Sequence, residues 1–151
     1  MAITDYGKYM PEAGGKGKLA NYQDYQADTK AAAEAIPFGA ALQLGTDKNT
    51  VTVVKTGGKP YGIALAQEIH EWVTKADDQK FLQYDPVPVV RKGTLWVEAG
   101  GDVISGDAAA VDPATNRFVA TGFTGAIAFP SGTFKGNASA GQLVQVEINL
   151  P

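Results

Sequence analysis

From Phe38 onward, apolar residues alternate with polar ones or gather into short runs, and turn-forming residues interrupt them roughly every 8–12 positions. This pattern predicts about ten short strands, at residues 40–44, 51–54, 61–66, 69–75, 87–91, 94–99, 108–111, 117–121, 126–129 and 143–149. The last is the cleanest. Val144, Val146, Ile148 and Leu150 alternate with Leu143, Gln145, Glu147 and Asn149, giving one apolar and one mostly polar face. Trp96, between Leu95 and Val97, reads as a core residue, whereas Trp72 suits core and interface equally. No long segment repeats at 3.6 residues, so bundles and doubly wound folds are excluded. The expected fold is all-β: a small β-barrel or β-sandwich of short antiparallel strands with an extended N-terminal arm.

The arm is set apart by its composition. No valine precedes Val51, and thirteen valines lie between Val51 and Val146. Residues 1–36 lack phenylalanine and tryptophan but hold four of the six tyrosines, Tyr6, Tyr9, Tyr22 and Tyr25. The run Gly14-Gly15-Lys16-Gly17-Lys18 adds flexibility without an apolar anchor. Such a segment has too little apolar surface to offset the entropy of ordering it alone. We therefore expect an arm over residues 1–36, with a short helix at 29–35 where alanine is concentrated, and a β domain over 37–151. Tyrosines combine rigid contact area with a polar tip, which suits an arm lying on another protein. A frayed terminus has the same composition.

The 151 residues suit one domain. The chain has no cysteine, which excludes disulfides, thiolate metal sites and thiol catalysis, and its one histidine, His70, leaves little for a metal centre or a triad. Thirteen basic against sixteen acidic side chains do not make a phosphate-tracking surface, so nucleic acid is not an expected partner. No run of apolar residues is long enough for a membrane helix, and no export signal is visible at the N-terminus, which points to synthesis in a cytoplasm and no membrane. The eighteen glycines and eight prolines, lacking a period of three, read as turns.

No motif carries chemistry. Asp102, Asp107 and Asp112 recur every five residues, but the spacing is not that of a calcium loop, and aspartate beside glycine more simply closes turns. The glycines at 14–17 follow no apolar strand and lack the phosphate-loop frame. The serines have no nucleophile-elbow context. Arg91 and Lys92, with Lys80, form the one local basic excess, enough for a partner's acidic rim. Neither an enzyme nor a cofactor is expected.

The order of the turns is more specific than any side chain. It runs through Ile36-Pro37-Phe38-Gly39-Ala40-Ala41, Tyr61-Gly62-Ile63-Ala64, Pro86-Val87-Pro88, Gly93-Thr94-Leu95-Trp96-Val97, Ser105-Gly106-Asp107-Ala108 and Gly141-Gln142-Leu143-Val144-Gln145-Val146. From residue 30 on, this succession resembles the capsid decoration, or structural cement, proteins of tailed bacteriophages. The resemblance implies a homo-oligomer, dimer or trimer, on the outer surface of an assembled head. There it would clamp neighbouring major capsid subunits. Tyr6, Tyr9, Tyr22, Tyr25, Trp72, Arg91 and Lys92 are the interface candidates this reading selects. The alternative is another phage virion module, a head-fibre base or a carbohydrate-binding domain, in which Trp72, Tyr61 and Tyr84 would meet a glycan.

Overall fold

The computed structural model describes residues 16–21, 25–66 and 80–150. Eleven strands follow one another: β1 (Gln26–Ala32), β2 (Ile36–Pro37), β3 (Ala41–Leu44), β4 (Thr50–Val53), β5 (Gly62–Ala64), β6 (Lys80–Phe81), β7 (Pro86–Glu98), β8 (Ala108–Asp112), β9 (Arg117–Ala120), β10 (Ile127–Phe134) and β11 (Leu143–Asn149). There is no helix among the described residues, and the fold is all-β as the sequence predicts.

The long strand β7 organises the molecule. Its first half pairs with β1 and β5, and the order β1-β4-β3-β5-β7, with β7 returning to β1, closes a five-stranded barrel. Its second half pairs antiparallel with β11 from Lys92 to Glu98, and β11, β10, β8 and β9 continue the sheet. That sheet curls round until Phe118 of β9 bridges Ala99 just beyond β7. The molecule is thus two lobes threaded by one strand. At their junction Gly93 takes φ +145°, a region that side chains avoid, and a Cβ there would lie 3.1 Å from that of Tyr25.

The lobes follow the same path. Strands β1, β3, β4, β5 and the first half of β7 correspond, in order, to the second half of β7, β8, β9, β10 and β11. The hairpin pairs Leu42↔Val53 and Leu44↔Val51 recur as Ala109↔Ala120 and Val111↔Phe118. Ile63↔Val90 and Ala64↔Val89 recur as Thr133↔Glu147 and Phe134↔Val146. Even the parallel contact repeats, Ala32↔Val51 as Ala99↔Phe118. Single hydrogen bonds match as well: Ala32 N donates to Asp85 O, and Ala99 N donates to Gln142 O, both at 2.9 Å. The antiparallel pair Ile36↔Phe81 (β2 with β6) likewise answers to Val103↔Ala138.

Burial follows the pleat. Leu42, Ala64, Val87 and Val89 fill the first barrel together with Ile36, Val51 and Phe81. The opposite face of the same strands carries Ala41, Ile63 and Val90, aligned across β3, β5 and β7. This row packs into the second lobe's core of Leu95, Val97, Phe118, Phe134, Val146 and Ile148, so the lobes share one apolar interior. On β11 the buried residues are Val144, Val146 and Ile148, matching the alternation in the sequence.

Three expectations are corrected. Residues 29–35 are not helical. β1 occupies 26–32 because pairing with β7 and β4 outweighs alanine's modest helix preference. Residues 87–91 and 94–99 are not two strands, since β7 passes through Gly93 without a turn. Trp96 is half-buried and stands on the face opposite the buried Leu95 and Val97. The strand expected at 69–75 lies outside the described residues.

Candidate functional site

Of the seven interface candidates, Tyr6, Tyr9, Tyr22 and Trp72 lie outside the described residues, as does His70. The other three come together where the lobes join. Gln26, next to Tyr25, pairs with Lys92, which follows Arg91 on β7. Tyr25 is 42% exposed, and Arg91 and Lys92 are half-buried.

Arg91 is engaged within the fold. Its guanidinium carbon sits 3.9 Å from the centre of the Tyr61 ring, and Nη1 donates to the Tyr61 carbonyl at 2.8 Å. The Tyr61 hydroxyl donates to Asp28 Oδ2 at 2.6 Å, and Lys30 Nζ lies 5.9 Å from the same ring. The bond to the Asp28 carboxylate, reinforced by partial burial, raises the Tyr61 phenol above its ordinary pKa, and the Arg91 charge opposes that rise. This cluster ties β1 to β7 across the barrel mouth. With Arg91 over it, one face of the Tyr61 ring is unavailable for stacking on a sugar.

The arm is partly built into the sheet. Trp96 N donates to Lys18 O (2.9 Å), Gly17 N to Trp96 O (2.7 Å) and Ala20 N to Thr94 O (2.8 Å), so residues 17–20 cap the free edge of β7 in the second lobe. Gly17 is also held by the first lobe, through Ala66 N to Gly17 O at 2.8 Å. Beside it a cleft of about 230 Å³ is lined by Lys16, Phe38, Glu98 and Arg117, and Glu98 pairs with Arg117 at 2.9 Å and Lys16 at 3.5 Å.

The largest exposed apolar side chains stand on turns, where sequence patterning does not find them. Tyr84 is 79% exposed, Ile104 62% and Leu82 58%. Tyr84 holds φ +72° within a turn closed by Asp85 N to Leu82 O and by Leu82 N to Asp85 Oδ2. Ile104 and Asp107 form the same pair of bonds, with Gly106 at φ +95°. Asp112 accepts from Ala114 N and from the Thr115 hydroxyl. Asp107, beside Gly106, and Asp112, before Pro113, therefore close turns. Among the described residues no three carboxylate or histidine side chains gather as a metal site.

The site is thus a set of turns, an inserted arm and a junction held by cation–π stacking, with no convergent reactive groups among the described residues. A family model, described as structural cement protein (E217 gp24/Pam3 gp6), matches residues 2–149. The chain belongs to the structural cement protein family. This cement protein is therefore a structural component of a phage virion. No curated protein sequence matches it. Among solved structures, a chain in the capsid of Myoviridae phage XM1 is similar with a TM-score of 0.72 at 15% identity, covering 99% of this chain and 98% of that one. The N base of head fibre gp8.5 of bacteriophage phi29 gives 0.55 at 17%, covering 83% and 95%. At these identities the likeness is one of fold.

Proposed function

We propose that this cement protein binds the outer surface of an assembled head and clamps neighbouring major capsid subunits, as a dimer or trimer assembled in the host cytoplasm. The observation that carries the reading is the family match over nearly the whole chain. The physics supports it. A shell offers many identical shallow junctions, and contacts repeated through an oligomer add avidity without one large interface. The slight acidic balance of the chain, −3, favours a protein partner over packaged nucleic acid. Tyr6, Tyr9, Tyr22, Tyr25, Trp72, Arg91 and Lys92 are the proposed contacts, and of these Tyr25, Arg91 and Lys92 meet at the junction.

The test uses heads that lack the protein. Adding it back is expected to saturate the heads and raise the temperature at which they release DNA. Saturation without stabilisation would leave it a decoration and not a clamp. The fold shared with the phi29 fibre base favours one second reading, a module that carries a fibre. A fibre protein that copurifies with the decorated heads would identify that role.

A further inference from the structure

The repeated path exposes a difference between the lobes. In the second lobe, the outward backbone groups of Thr94 and Trp96 on β7 are bonded to residues 17–20. The same positions in the first lobe are Ala27 and Thr29 of β1, as the pairs Ala27↔Val90 and Asp28↔Val89 answer to Thr94↔Glu147 and Leu95↔Val146. Ala31, two residues on, sends its N–H to Asn49 O, so the odd-numbered residues of β1 turn their polar groups away from β7. Across the ladder Thr29 and Ala31 face Pro88 and Pro86, which have no N–H to offer. The pairing with β4 begins at Ala31 and runs on through Ala32 and Ala33, away from Ala27 and Thr29. Among the described residues nothing pairs with the outward edge at Ala27 and Thr29, and both are exposed.

An open strand edge is a template for another strand, and proteins normally cover or charge it. Here the neighbouring side chains are drawn away from the edge: Asp28 holds the Tyr61 hydroxyl, and Lys30 lies by the Tyr61 ring. We infer that this edge accepts an extended segment of the major capsid protein, added antiparallel to β1 by backbone bonds at Ala27 and Thr29. The inference rests on the cement reading above. A second copy is the less favoured occupant, because its equivalent segment is already engaged. Gly17 is buried between the lobes, and withdrawing residues 17–20 would open one edge to close another.

Amide hydrogen exchange of the full chain, free and on heads lacking the native protein, tests this. The Ala27 and Thr29 amides are expected to exchange fast when free and at least roughly tenfold slower on heads. Thr29→Pro removes one outward donor, at a position where β1 gives β7 no bond. It is expected to weaken head binding about tenfold, while Thr29→Ser leaves it within about twofold. Binding with unprotected Ala27 and Thr29 amides would overturn the edge proposal and leave the cement reading standing. Protection that rises with the concentration of free protein would assign the edge to a second copy and overturn it too. Wild-type protein that fails to bind heads would remove the cement reading itself.

Discussion

The two lobes solve one topology with different chemistry. At equivalent positions the first lobe has Asp28, Lys30 and Arg91, and the second has Leu95, Val97 and Ile148. The first set surrounds Tyr61 in a polar, half-exposed cluster, and the second is buried to 1% exposure or less. The difference follows from what covers each barrel. Ile63, Val90 and Leu19 pack on the second lobe's core, so its strands can be apolar on that face. The first lobe's mouth faces water, and a stacked arginine with a carboxylate-bound tyrosine closes it instead. Backbone pairing alone can therefore specify the path, while side chains adapt to the neighbour each lobe happens to have.

The sharpest way to break the equivalence uses one glycine in each lobe. Gly39 and Gly106 occupy the same turn position, at φ +76° and +95°. A Cβ on Gly39 would stand 2.7 Å from Gly17 N, whereas one on Gly106 meets nothing within 4 Å. Gly39→Ala should cost more than about 3 kcal/mol in chemical denaturation, and Gly106→Ala only the conformational strain of about 1–2 kcal/mol. Equal losses would mean that the arm does not weld the lobes.

Core truncations should instead show likeness. Val89 and Val146 are equivalent and fully buried, so Val89→Ala and Val146→Ala should each cost roughly 1.5–3 kcal/mol. Both variants should unfold in one calorimetric transition because the interior is shared. Two transitions would show that the lobes melt independently.

The turns before the last strand of each lobe offer a swap. Tyr84 N donates to Ala32 O as Gly141 N donates to Ala99 O, but only Gly141 suits the positive φ both adopt. Tyr84→Gly should raise stability by up to about 1 kcal/mol, and Gly141→Ala should lower it by a similar amount. If Tyr84→Gly were to destabilise, the tyrosine would be contributing packing that outweighs its strain.

The smallest effect belongs to the cluster that the second lobe lacks. Tyr61→Phe should cost about 0.5–1 kcal/mol near neutral pH. The raised phenol makes the bond to Asp28 a contribution that is full below the ordinary tyrosine pKa of about 10 and lost as pH climbs through the higher folded value. The wild-type advantage over Tyr61→Phe should thus hold through the neutral range and vanish in strong alkali. A gap independent of pH up to the alkaline limit would exclude that origin.

The strands were legible where water lies on one side, as on β11, because alternation is the direct record of a half-buried face. Alanine-rich β1 was not, since nothing local announces that β7 and β4 will hold it extended. The glycine at 93 suggested a turn because a local pattern cannot separate a chain that reverses from one that passes straight on at positive φ. The repeat was hidden for a related reason. Equivalent positions share backbone bonds more than residues, with Val87/Val144 and Val89/Val146 among the few identities. Arg91 and Lys92 stood out by charge, but charge could not reveal that Arg91 turns inward onto Tyr61. Leu82 shows no signal at all, and Tyr84 stood out only as an aromatic suited to a glycan, because exposure on a turn depends on the path of the whole chain.

A deletion that tests the arm as part of the proposed clamp is bounded by the same geometry. Removing residues 1–15 spares the pairing at 17–20, whereas removal through residue 30 would take most of β1 as well. The shorter deletion is expected to leave a folded protein that binds heads more weakly. Unaltered binding would exclude the terminal tyrosines Tyr6 and Tyr9 as anchors.

The continuity of β7 has a mechanical meaning. Two domains on a linker can bend apart when their attachment points move, and the load then falls on the linker's soft torsions. Here tension between the lobes runs through the covalent backbone of one strand, and neighbouring ladders take it in shear along their length. On the clamp proposed above, such a subunit would act as a rigid tie: as a shell strains, the give would come from its contacts with the shell and not from its middle.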